Sequence, residues 1–167
     1  MRIVGLLAFM VLSTVMLATP TTAPAAGPCR NPTIKATGPF TSGTRGNDVI
    51  LGTRGANTIW GNGGNDLICG AGGDDVLWGG NRHDKLYGGD GRDDVHGEDG
   101  VPAGDGNDVI YGGSNDDRLD GDEGDDRIFG DDGNDALAGD GGSNLLDGGP
   151  GNDNCGSSGD QTLENCE

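Results

Sequence analysis

Carboxylates recur at a fixed interval along this chain. Between residues 48 and 153 an Asp or Asn stands at every ninth position, apart from one interruption of six residues. The first series is Asp48, Asn57, Asp66, Asp75, Asp84 and Asp93; the second is Asp108, Asp117, Asp126, Asp135, Asn144 and Asp153. If two intervals complete one coil, residues 18 apart lie above one another at the ~4.8 Å spacing of paired strands, and the acids form two edge columns. Carboxylates stacked in this way repel each other until a hard cation lies between them. Calcium takes six to eight oxygen ligands, carboxylates and backbone carbonyls among them, whereas magnesium demands stricter octahedral geometry and keeps its waters. Transition metals favour His or Cys, and the chain has only two His and four Cys. The expected chemistry is therefore the binding of several calcium ions.

The elements that must position these groups are nine-residue blocks. Six run from Gly43 to His96 and six from Ala103 to Gly156, with GEDGVP (Gly97 to Pro102) between them. Position one is Gly in eleven blocks, Ala103 being the exception, and position four is Gly in ten, with Arg82 and Asn115 as exceptions. Position eight is Ile, Leu or Val in eleven blocks and Cys155 in the last. Glycine permits positive φ and close backbone approach, as a tight turn requires. Positions seven to nine suit a short strand that points position eight inward. The fold class expected is an all-β parallel β-roll, a β-solenoid with two repeats per coil. Arg82 and Asn115 are expected to disturb the turns around Asp84 and Asp117. The interruption at 97–102 reads either as a bulge from one roll or as a joint between two.

These blocks resemble the GGxGxDxUx nonapeptide of the RTX, or hemolysin-type, calcium-binding repeat family. The resemblance covers Gly43 to Gly156 and implies calcium held between coils by position-six side chains and turn carbonyls. It carries the ligand role onto Asp48, Asp66, Asp75, Asp84, Asp93, Asp108, Asp117, Asp126, Asp135 and Asp153. Asn57 and Asn144 offer a neutral oxygen and are expected to form weaker sites. Many members of the family follow a toxin or hydrolase domain and carry a C-terminal export signal. Here an N-terminal signal is expected instead, on a standalone roll.

That signal occupies residues 1–25: a positive start, an apolar run from Ile3 to Leu17 and an Ala23-Pro24-Ala25 cleavage pattern. The mature chain is thus expected to be secreted, with no membrane span. Residues 26–42 read as an N-terminal cap, 43–156 as the roll and 157–167 as a C-terminal cap. The formal charge of -18 excludes nucleic acid and anionic membranes as partners and attracts cations. Beyond residue 25 there are only 22 aliphatic or Phe residues, about 15%, below the roughly 20% at which a highly charged chain is expected to be disordered. Ordering each block costs more backbone entropy than one buried aliphatic returns. Folding is accordingly expected to wait for calcium.

Four Cys in an exported chain allow three pairings. Cys155 with Cys166, and Cys29 with Cys69, are favoured over free or intermolecular thiols. Ile34 and Phe40 are expected to cover one end of the solenoid and Leu163 the other. Trp60, Trp78 and His96 share position nine in alternate blocks, and Tyr87, Tyr111 and Phe129 fill it elsewhere. They are expected to stack as a ladder, and they leave a polysaccharide or cell-surface protein as a candidate partner. His83 and His96 stand in different columns and are expected to be solvated. No catalytic constellation stands out, and no enzyme is expected.

Overall fold

The computed structural model describes residues 27–100, 106–156 and 160–166; the expected signal peptide lies outside them. The described residues include no helix, and so none long and apolar enough to cross a membrane. They form fifteen short strands: β1 (Ile34–Lys35), β2 (Phe40–Ser42), β3 (Val49–Leu51), β4 (Thr58–Gly63), β5 (Leu67–Gly72), β6 (Val76–Asn81), β7 (Lys85–Asp90) and β8 (Asp94–His96). After the interruption come β9 (Val109–Ser114), β10 (Arg118–Asp120), β11 (Arg127–Asp132), β12 (Ala136–Ala138), β13 (Ser143–Asp147), β14 (Asn154–Gly156) and β15 (Asp160–Glu164). Odd-numbered strands make one parallel sheet and even-numbered strands the other, each in simple sequence order. The chain therefore winds as a parallel β-roll, crossing from one sheet to the other with every block.

Register confirms the two-block coil. Val49 pairs with Leu67 and Thr58 with Val76, each 18 residues on. Across the interruption the step lengthens to 24, with Lys85 on Val109 and Asp94 on Arg118, and both sheets continue. The roll is one across the interruption. The place of the extra residues differs from the sequence phase. A Cβ built on Gly97 would strike Asp108 Oδ2 and the Gly121 carbonyl oxygen, which is the surrounding of a position-one glycine. Gly97, and not Ala103, thus opens the block that ends at Tyr111. By sequence count, the six extra residues lie between Gly97 and Gly106.

The core is one residue thick. Ile50, Ile59, Ile68, Leu77, Leu86, Val95, Ile110, Leu119, Ile128, Leu137 and Leu146 are all buried and form a single cluster, with Ile34 and Cys155 packed against it. Strand alternation sends position eight inward, as expected. At the N-terminal end Ile34 caps this column, but Phe40 is 73% exposed and contributes only the backbone of β2 to the sheet edge. At the other end Leu163 lies in register with Leu146 and remains half-exposed as the last rung. Disulfides join Cys29 to Cys69 and Cys155 to Cys166, tying each end back onto the roll.

Position nine carries two ladders, one on each sheet. Trp60, Trp78 and His96 stack at 5.3 and 5.9 Å, and Tyr87, Tyr111 and Phe129 at 4.8 and 4.9 Å, all within 12° of parallel. The inner rings, Trp78 and Tyr111, have both faces covered by neighbours. Such stacking serves cross-strand packing and leaves few ring faces for a sugar.

Candidate metal centre

Parallel pairing at an 18-residue step brings the position-six side chains into two columns. One runs Asp48, Asp66, Asp84, Asp108, Asp126, Asn144 and the other Asn57, Asp75, Asp93, Asp117, Asp135, Asp153. All twelve are buried, at 1–8% exposure. Each carboxylate from the second coil onward accepts the backbone N–H of its counterpart one coil earlier through Oδ1. Asp66 accepts from Asp48 at 2.8 Å, Asp84 from Asp66 at 2.7 Å and Asp93 from Asp75 at 2.9 Å. The chain of bonds runs across the interruption, where Asp108 accepts from Asp84 and Asp117 from Asp93, both at 2.8 Å. One oxygen of each acid is thus structural.

The other oxygen has no such use. Oδ2 of Asp66, Asp75, Asp84, Asp93, Asp108, Asp117, Asp126, Asp135 and Asp153 is buried and has no hydrogen-bond partner. A buried, unpaired charged oxygen is costly, and nine of them in register require a common explanation. Position one shows what stands nearby. A Cβ on Gly61 would run into both Asp66 Oδ2 and the carbonyl oxygen of Gly79 in the next coil. The same pair of atoms, the block's own Oδ2 and the next coil's carbonyl, crowds Gly79, Gly88, Gly112 and Gly130. Position one is therefore glycine because oxygen atoms converge there, and none of these residues has a positive φ.

Positive φ falls instead at positions two and four. At position four, Arg82 and Asn115 both adopt φ of 82°, the same left-handed turn that Gly64 and Gly73 make. They preserve the turns around Asp84 and Asp117, contrary to the expected disturbance, and the strain is borne locally. Position two, which varies in sequence, is also left-handed at Asn62, Ala71, Asp122 and Asp131. Thr44 and Thr53, the β-branched residues at that position in the first coil, have no positive φ.

Burial dominates the electrostatics. It pushes the carboxyl groups of Asp84, Asp108 and Asp117 up to about 8, Asp75 and Asp126 to about 7, and Asp66, Asp93 and Asp135 to about 6. The backbone N–H on Oδ1 pulls the other way, and neighbouring carboxylates raise most of them further. The columns thus resist carrying their full negative charge unless it is compensated.

Three position-six residues differ. Asp48 Oδ2 accepts from Thr44 N at 2.7 Å and Thr44 Oγ1 at 2.8 Å, while Thr33 Oγ1 donates to its Oδ1. Asn57 Oδ1 accepts from Thr53 N at 2.6 Å and Thr53 Oγ1 at 3.2 Å, and its Nδ2 donates to Gly38 O and Ala56 O. Asn144 Oδ1 accepts from Asp126 N at 2.7 Å, and its Nδ2 donates to the carbonyls of Gly139 and Gly141.

Sequence reading passed over two further features. Position five forms an outer ladder: side chains of Asn47, Asp74, Asn107, Asp116, Asp125 and Asn134 accept backbone N–H groups one coil later at 2.8–3.1 Å. His83 belongs to it, its Nδ1 accepting from Asn107 N at 2.7 Å. The signal was present, since Asn, Asp and His all place an acceptor at the same reach from Cα. Glu98, inside the interruption, is 7% exposed, accepts Gly106 N at 2.9 Å and raises the carboxyl groups of Asp84, Asp108 and Asp126. His96 is likewise not simply solvated. Its Nε2 lies 3.2 Å from Asp94 Oδ1, beside Asp120 and Asp122, and Arg118 approaches Asp94 and Asp120.

The donor set fits a hard cation. It consists of unpartnered carboxylate oxygens and backbone carbonyls, without sulfur or imidazole, gathered between successive coils. Comparison with curated proteins returns no match. The model of the RTX calcium-binding nonapeptide repeat matches four times, over residues 42–77, 70–101, 103–128 and 120–155. These matches span well over half of the chain, and the buried aspartate columns fall inside them, so the protein belongs to the RTX calcium-binding nonapeptide repeat family.

Proposed function

We propose that this protein is an exported calcium-binding roll whose folding is coupled to calcium. The observation that carries the reading is the set of nine buried Oδ2 atoms without a hydrogen-bond partner. Asp66, Asp75, Asp84, Asp93, Asp108, Asp117, Asp126, Asp135 and Asp153 would hold the ions, with turn carbonyls completing the shell. Bound calcium supplies positive charge between coils and satisfies the orphaned oxygens. The chain's own part is to present each Oδ2 rigidly, through the bond that its Oδ1 makes to the coil before. Equilibrium dialysis at millimolar calcium should show several ions per chain, with little competition from equimolar magnesium. Extracellular calcium modules work at roughly 10⁻⁴–10⁻³ M, which sets the range to search. Failure to retain calcium anywhere in that range would sink the reading.

Export is supported by the two disulfides, which form and persist in oxidising compartments. The N-terminal segment would direct it. Terminal sequencing of the exported protein is expected to begin at Ala26; retention of Ile3–Leu17 would show an anchor instead.

A further inference from the structure

Asp48 and Asn57 at the N-terminal end of the two columns, and Asn144 at the C-terminal end of one, make contacts that the other position-six residues lack. In the other nine cases, Asp153 at the end of its column included, a carboxylate oxygen faces position one without a donor. A Cβ on Gly121 or Gly130 would strike Asp126 Oδ2 or Asp135 Oδ2, but one on Gly139 would strike Asn144 Nδ2. The amide nitrogen of Asn144 therefore occupies the slot that the orphaned oxygen takes elsewhere. It donates to Gly139 O and Gly141 O, carbonyls of its own turn. The orientation is forced: turning the amide over would set its oxygen against both carbonyls and its NH₂ against the Asp126 N–H.

The first coil reaches the same end by another route. Threonine stands at position two only in the blocks that open at Gly43 and Gly52. There Thr44 and Thr53 each direct a backbone N–H and a hydroxyl at the position-six oxygen. In the later blocks other than the one that opens at Gly97, position two turns left-handed, a conformation that a β-branched residue resists, and the threonine donors are absent. Asn57 completes the arrangement by donating to Gly38 O, so the bottom of its column ends on a carbonyl of the N-terminal segment.

We infer that Thr44, Thr53 and Asn144 are built-in substitutes for the cation, closing both columns at the N-terminal end and one column at the C-terminal end by protein hydrogen bonds, so that these positions take no ion. This rests on the calcium-binding reading and deepens it by stating which position-six residues take no ion. It gives a physical purpose to the disulfides as well, since Cys29–Cys69 and Cys155–Cys166 tie down the same two ends. A solenoid whose first coil is closed without metal offers a template on which the metal-dependent coils add.

The test is a gain of binding. Asn144→Asp replaces the donor by an unpaired oxygen of the same shape and should raise the calcium count at saturation by one ion per chain over the parent. Calcium bound by the parent with no gain in a folded Asn144→Asp protein overturns the inference and leaves the calcium-binding reading intact. No calcium on either protein overturns that reading. Should the variant fail to fold, hydrogen exchange on the parent decides. Amides of residues 43–58 should gain less protection on adding calcium than those of 106–132, by at least about tenfold in rate. An equal, non-zero gain in both segments overturns the inference.

Discussion

Chelating calcium from the folded protein is expected to abolish most of its far-UV circular dichroism β signal, and restoring millimolar calcium should bring it back. The expectation follows from what each coil has to hold it together. A block buries one aliphatic side chain, such as Leu119 or Ile128, and orders nine residues to do so. Backbone ordering costs about 1–2 kcal/mol per residue, and burying a whole Leu or Ile returns only about 1.5–3 kcal/mol. Ladder hydrogen bonds narrow this gap, but the nine orphaned carboxylate oxygens widen it again. In an ordinary domain the apolar core would close the difference; here the inner column is one residue thick, with only a small outer cluster around Cys29, Leu51 and Cys69 near the N-terminal end. Calcium binds the folded columns and has no comparable site in the extended chain, so its binding free energy becomes folding free energy. Magnesium at the same concentration should restore far less. A spectrum indifferent to chelation would mean that the roll stands without metal.

Much of this was legible in the sequence because the repeat is strict. A nine-residue period with aliphatic position eight fixes strand facing and the 18-residue register, and Ile50 over Ile68 over Leu86 follows directly, although strands such as β4 and β5 run on to position three of the next block. The position-six columns follow from the same arithmetic, and the pairing of Cys29 with Cys69 agrees with that favoured from sequence. What periodicity could not show is how a carboxylate divides its two oxygens. That Oδ1 binds the preceding coil while Oδ2 is left over depends on side-chain direction, which a spacing does not encode. Phase alone sets the interruption at Gly97–Pro102 and Ala103 at position one, whereas the closeness of Gly97 to Asp108 Oδ2 and the Gly121 carbonyl gives Gly97 the surroundings of a position-one glycine. Arg82 and Asn115 interrupt the glycine column, which is why disturbed turns are expected there. Both nevertheless adopt φ of 82°. Thr44 and Thr53 looked like variation in an unconstrained column, and only the direction of their donors shows otherwise.

Acid should do in part what calcium does. Burial raises the carboxyl groups of Asp84, Asp108 and Asp117 from 3.8 to about 8 in the metal-free roll, with Asp75 and Asp126 near 7. In the unfolded chain they return to the ordinary value. A raised pKa in the folded state means that folding favours the protonated form. Its stabilising contribution is complete below about pH 4 and is lost as pH rises through 6 to 8. The chelated protein should therefore be least structured at pH 8 and recover β signal as the pH is lowered to about 5, still above the pI of 4.1. Calcium competes with the same protons, so the calcium concentration needed for half-maximal folding at pH 8 should be lower than that needed for the ions to bind at pH 6. Asn144 shows why protonation works: a neutral side chain with a hydrogen to give can satisfy the turn carbonyls directly. A protonated aspartate presents an O–H in the same slot. Circular dichroism of the chelated protein between about pH 5 and pH 8 decides the matter, because a signal that instead falls with acid would show that the columns fold as anions and that their burial carries no charge penalty.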